Sequence, residues 1–288
     1  MKVETISEQL FFATVRLEAW SGKSLSVGTG FVYEVDTDAG IVQSLITNKH
    51  VLEGADRLSV TMIRGDDAAP LLGEGTTINI DPFDEKGWVG HPEPHVDVAA
   101  MPLIDVLGAM AKNNARPFFR SLSPAMMAST ELLEDLDAIE SVTFIGYPNG
   151  LYDSANLLPI ARRGATATPV GVDYQGKPAF LIDASVFPGS SGSPVFLLDK
   201  GIYQDRNGIS LGSSRFACLG IIAAVHVRLV EGSVIEVETG SGIGIEQPID
   251  LGIVYKSVTI DETVDVLLAL AGIARREIES GGLPGDSA

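Results

Sequence analysis

Short runs rich in β-branched and aromatic residues recur along the chain, and clusters of glycine, serine and aspartate divide them. Residues 10–20, 28–36 and 41–47, separated by Ser21-Gly22-Lys23-Ser24 and Asp36-Thr37-Asp38-Ala39-Gly40, read as three antiparallel strands joined by hairpins. Residues 57–63, 76–80 and 96–103 continue the series to six strands. The rhythm breaks over 104–140, where Ser123-Pro124 marks a helix start and 129–136 has helical spacing, so this stretch predicts a linker with a short helix. Six more strands are expected at 141–147, 160–172, 179–185, 193–198, 219–228 and 242–246. Thr259-Ile260-Asp261-Glu262 then has the capping-box pattern, with Ile260, Val264, Leu267, Leu268 and Ala271 on one face, and predicts a carboxy-terminal helix. Residues 281–288 read as a frayed tail. Short strands at this spacing favour a sandwich or a barrel.

Composition narrows the partners and the setting. The 31 glycines and 15 prolines among 288 residues imply many turns, and 45% hydrophobic content is ordinary for a globular chain. Lys+Arg 20 against Asp+Glu 38 gives a net charge of −18, so nucleic acid is not an expected partner, because phosphate binding depends on clustered cations. The acidic residues read as solvated surface. No apolar run approaches the ~18 residues that a membrane span requires, and no membrane partner is expected. Met1-Lys2-Val3-Glu4-Thr5 lacks the basic-then-apolar pattern of a secretory signal, and Cys218 has no second cysteine to pair with, so a cytoplasmic location is expected. Cys218, within Phe216-Ala217-Cys218-Leu219-Gly220-Ile221, reads as a small buried hydrophobe.

The candidate chemistry centres on Pro188-Gly189-Ser190-Ser191-Gly192-Ser193-Pro194, too rich in glycine and serine for a helix and too polar for a core strand. Glycine admits positive φ and close approach by a ligand, and proline fixes the exit of the turn. Such a loop can hold the Ser191 hydroxyl exposed, with the amides of Gly189 and Ser191 placed as an oxyanion hole. A serine hydroxyl is a weak nucleophile at neutral pH and needs a base, which in turn needs an orienting group. His50 ends the apolar run Leu45-Ile46-Thr47-Asn48-Lys49-His50, and Asp97 begins another in His95-Val96-Asp97-Val98. The chain order is therefore His, Asp, Ser, the order of the chymotrypsin architecture rather than that of subtilisins or α/β-hydrolases. His91, His95 and Asp97 also form a His-x3-His-x-Asp pattern, but Pro92 and Pro94 argue against the helix that would converge them on a metal. No metal or cofactor is expected, and the remaining histidines are expected at the surface or in loops.

At these residues the sequence resembles a trypsin-like (chymotrypsin-fold) serine peptidase of bacterial type. Thr47-Asn48-Lys49-His50-Val51 and Gly189-Ser190-Ser191-Gly192-Ser193-Pro194-Val195-Phe196 are similar to the histidine and serine motifs of glutamyl endopeptidases. Ile145-Gly146-Tyr147-Pro148-Asn149-Gly150-Leu151 and Gly242-Ile243-Gly244-Ile245 resemble strands of HtrA-type peptidases, and the likeness extends over about residues 10–256. It implies an all-β fold of two antiparallel six-stranded barrels, with a short inter-barrel helix and a carboxy-terminal helix. The division would be a first barrel over 1–112 carrying His50 and Asp97, a linker over 113–140, a second barrel over 141–257 carrying Ser191, and a helix with tail over 258–288. The resemblance implies a serine endopeptidase acting on protein or peptide substrates, and a primary pocket around Ser185, Ala223 and His226. A neutral Ser185 offers no carboxylate to Arg or Lys, so small or apolar residues are favoured before the cleaved bond. Pro188 stiffens the loop that carries Gly189, which keeps a second reading open: a peptidase-fold binding module, or a peptidase held latent until a regulatory partner binds. An esterase using the same three residues is a third.

Overall fold

The computed structural model describes residues 1–66, 68–205, 208–233 and 242–276, with backbone alone for 204–205, 224–233 and 242–249. The chain opens with a short helix, α1 (Ile6–Leu10), where the first strand was expected to begin. Thr5 accepts from the Glu8 amide and the Glu8 carboxylate accepts from the Thr5 amide, a capping box that holds residues 6–10 helical.

Five strands follow: the hairpin-connected β1 (Thr14–Ser21), β2 (Ser24–Thr37) and β3 (Gly40–Thr47), then, after a helical turn, the hairpin of β4 (Arg57–Gly65) and β5 (Pro70–Ile80). The two-residue period is visible in β1, where Val15, Leu17 and Ala19 are buried against the same core. The expected strand at 96–103 is only β7 (Ala99–Pro102), preceded by β6 (Val89–Gly90) and a loop between them. The seven strands hydrogen-bond in the order β5-β4-β1-β2-β3-β7-β6, an antiparallel sheet whose ladder does not close among the described residues. The expected closure of the first six strands into a barrel is therefore not shown among the described residues, which form an open seven-stranded sheet. β6 stops after two residues, and the following Pro92 and Pro94 have no amide to extend the edge.

The second half does close. The strands β8 (Ser141–Gly146), β9 (Ile160–Thr166), β10 (Ala179–Asp183), β11 (Pro194–Asp199), β14 (Arg215–Ser233) and β15 (Gly242–Lys256) form a six-stranded barrel in the order β10-β15-β14-β11-β8-β9. A hairpin of β12 (Ile202–Asp205) and β13 (Gly208–Leu211) stands outside it. β9 ends before Pro169, short of the expected 172.

Helices are few. α2 (Lys49–Leu52) follows β3, and α3 (Ile104–Lys112) occupies the start of the expected linker. α4 (Thr130–Asp135) lies within the expected helical spacing, with Ser129 accepting from the Leu132 amide at 3.2 Å as its cap. α5 (Val258–Ala271) begins one residue before the expected capping box. Thr259 is inside the helix and its hydroxyl donates to the Lys256 carbonyl at 2.8 Å, so it caps nothing. The expected tail at 281–288 lies outside the described residues.

Three apolar clusters fill this frame. One lies within the first sheet around Leu17, Val32, Leu45 and Val60, and another within the barrel around Phe144, Phe180, Val195 and Ile222. The third joins both halves to α5: Phe31, Tyr33 and Ile46 meet Phe196, Cys218 and Ile221, together with Ile260, Val264 and Leu268.

Candidate active site

His50 sits in the single turn of α2, directly after β3, and Asp97 lies on the loop between β6 and β7. β3 pairs with β7, Thr47 opposite Ala99, so the ends that carry the two residues are neighbours across the ladder. The Asp97 carboxylate holds His50 at two points: Oδ1 accepts from the backbone amide at 3.1 Å, and Oδ2 lies 2.5 Å from Nδ1 of the ring. The loop is fixed in turn by Asn48, whose Nδ2 donates to the Asp97 carbonyl at 2.6 Å.

Ser191 comes from the turn before β11. Gly189 and Gly192 have φ of +86° and +88°, the left-handed region that favours glycine. A Cβ on Gly192 would lie 1.8 Å from the Thr29 carbonyl oxygen, and one on Gly189 2.5 Å from that of Tyr147. The turn is stitched to both halves. The Ser191 carbonyl accepts from the Thr29 amide at 2.9 Å, the Gly192 amide donates to the Ile222 carbonyl at 2.8 Å, and the Pro188 carbonyl accepts from the Asn149 amide at 2.5 Å. The Gly189 and Ser191 amides, in contrast, donate to no acceptor among the described residues.

His50 and Ser191 line one cleft of about 340 Å³, walled by Leu25, Val27, Asn149 and Gly189. The Ser191 hydroxyl donates to the Ala223 carbonyl at 3.4 Å, and no hydrogen bond joins it to His50. Ala223 is thus beside Ser191. Ser185 is exposed and does not line this cleft, and the side chain of His226 lies outside the described residues. A second cavity of about 370 Å³, lined by Phe11, Phe12, Phe118, Phe119, Tyr147 and Tyr152, contains neither His50 nor Ser191.

Thr29 is a site residue that the sequence reading passed over. Fully buried, it accepts from the Tyr147 amide at 3.1 Å and donates to the Gly189 carbonyl at 2.9 Å. It therefore ties β2, the 147–150 turn and the serine loop together. Gly28-Thr29-Gly30 could have signalled a close backbone approach within a strand. Lys49 is another: its Nζ donates to the carbonyls of His91 at 2.8 Å and Glu93 at 3.0 Å, and partial burial lowers its pKa against the pull of Asp97 and Glu53. Tyr255 donates to the His95 carbonyl, and burial raises its pKa.

His91 lies in a loop, as expected of the remaining histidines, but is only 5% exposed. Its Nδ1 accepts from the Glu93 amide at 3.1 Å and its Nε2 lies 2.8 Å from Glu262 Oε2, while His95 pairs with Glu93 at 3.0 Å. Cys218 is fully buried, which pushes its thiol up to about 12 and keeps it protonated at neutral pH.

The trypsin-like peptidase domain family matches residues 28–201, more than half of the chain, and the protein belongs to that family. Among solved structures it is similar to the HtrA-type protease AlgW bound to a tripeptide, at 17% identity and a TM-score of 0.47, covering 91% of this chain and 62% of that one. It is also similar to a serine endoprotease from Yersinia pestis, at 15% identity and a TM-score of 0.45, covering 93% of this chain and 68% of that one. The chain thus spans about three fifths to two thirds of the length of these proteins. No curated protein matches it. Among the described residues no helix is long and apolar enough to cross a membrane.

Proposed function

We propose that the protein is a serine endopeptidase that cleaves peptide bonds in proteins through Ser191, His50 and Asp97 by way of an acyl-enzyme. The observation that carries this reading is the double grip of Asp97 on His50, at the backbone amide and at Nδ1. A carboxylate on Nδ1 fixes the tautomer and leaves Nε2 as the basic nitrogen, in the cleft that Ser191 also lines. As Ser191 Oγ bonds to the substrate carbonyl carbon, its proton passes to His50 Nε2 and the carbonyl π electrons move onto oxygen. The free amides of Gly189 and Ser191 stabilise that oxyanion. Its collapse breaks the C–N bond, with the imidazolium proton going to the leaving amine. Water, deprotonated by His50, then hydrolyses the acyl ester.

The primary pocket is assigned to the wall beside Ala223, and small or apolar residues fit before the cleaved bond. Leu25 and Val27 offer apolar surface in the same cleft. Incubation with unfolded casein tests the reading: the protein generates new amino termini, and Ser191→Ala lowers the rate by a factor of about 10⁴ or more. Equal cleavage by the Ser191→Ala protein rejects it.

A second reading, a latent peptidase awaiting a partner, is favoured by the Ser191 hydroxyl donating to Ala223 rather than to His50. Apo sites often tighten only with substrate in place, so a rotation about the serine χ1 reconciles the two.

A further inference from the structure

We propose that Glu262, on α5, is a positioning residue for the reaction: acting through His91, it holds the loop that carries Asp97. The inference rests on the reading of Asp97 as the group that orients His50.

The loop of residues 91–97 is poor in means to hold itself. Residues 92–95 are exposed, and Pro92 and Pro94 have no amides to donate. Its own backbone bonds are few, the His91 amide to the Val98 carbonyl at 2.9 Å and the Val96 amide to the Glu93 carbonyl at 3.1 Å. Side chains from other elements supply the rest. Lys49 takes the carbonyls of His91 and Glu93, Tyr255 that of His95, and Asn48 that of Asp97.

The loop itself sends two side chains back into the protein, Val96 beside Asp97 and His91 at its start. The His91 side chain is 3% exposed. The Glu93 amide donates to Nδ1, so the ring proton sits on Nε2 and is donated to Glu262 Oε2 at 2.8 Å. A buried imidazole N–H without its acceptor leaves a donor unpaired, which favours the ring turning outward. The ring then leaves the Glu93 amide as well, and the loop loses both bonds of the His91 ring at the end opposite Asp97, where the Lys49 side chain still holds it. α5 lies beyond residue 201, where the family match ends.

Glu262 is half exposed, so its removal leaves the core of α5 in place. The experiment compares wild type, Glu262→Ala and Glu262→Gln, with His91→Phe as a second variant that keeps the buried volume. Two readouts are taken: the rate constant for labelling by a fluorophosphonate, and the low-field proton resonance of His50 Nδ1–H. Glu262→Ala and His91→Phe are expected to label about tenfold or more slowly, to lower kcat with KM within about twofold, and to move or broaden the Nδ1–H resonance. Glu262→Gln, whose Oε1 still accepts from Nε2–H, stays within about threefold of wild type. An unchanged rate and resonance in Glu262→Ala overturns the proposal, as does a Gln variant as slow as the Ala variant. Failure of wild type to label counts against the serine-nucleophile reading instead, and the resonance alone then decides the role of Glu262.

Discussion

Thr29 illustrates how much of this site depends on a single hydroxyl. It takes the Tyr147 amide and gives to the Gly189 carbonyl, and both partners are buried with it. Thr29→Val keeps the shape and removes these two bonds and the one accepted from the Ser193 hydroxyl at 3.4 Å, leaving an amide and a carbonyl unpaired, a cost that Thr29→Ser avoids. We expect Thr29→Val to lose ~1–3 kcal/mol in urea unfolding and to lower kcat more than it raises KM, because the Gly189 amide loses its fixed place. Thr29→Ser stays close to wild type in both; a Val variant with unchanged kcat would detach Thr29 from the serine loop. At this scale loop composition and chain order pointed to His50, Asp97 and Ser191, and in the fold Asp97 meets His50 while Ser191 lines the same cleft as His50. Thr29 was not, because its function comes from partners 118 and 160 positions away. The tie of His91 to Glu262 was not legible for the same reason: Glu262 is 171 positions distant.

The elements were legible where local pattern decides them. The strands of the first hairpins and the capped α4 follow alternation and a serine cap. Closure was not legible where it depends on edges: two prolines follow the two-residue β6, and among the described residues the first half is an open sheet. α1 and α3 were missed because each is too short for a periodic signal to outweigh its neighbours. α5 was found but its start was misread, the threonine hydroxyl turning to the Lys256 carbonyl instead of capping. Packing rather than propensity holds α5, through Ile260, Val264 and Leu268 in the cluster shared by both halves. Leu268→Ala should therefore cost ~2–5 kcal/mol in thermal or urea unfolding. A loss well below that range would mean that α5 is held mainly by its polar contacts.

Across the whole molecule, the site is assembled from segments that meet only after folding. The first sheet brings His50 and Asp97 together through the β3–β7 pairing, and the turn before β11 brings Ser191 to the same cleft. Thr29 bridges the two, and the cluster joining Phe31 and Ile46 to Phe196 and Ile221 keeps them in register. The central claim is that this cleft activates one serine hydroxyl. Mass spectrometry of the native protein after reaction with a fluorophosphonate tests it most directly. The account predicts a single adduct on Ser191 that is absent from Ser191→Ala and strongly slowed in His50→Ala; an adduct on another residue, or one that persists in Ser191→Ala, would contradict it.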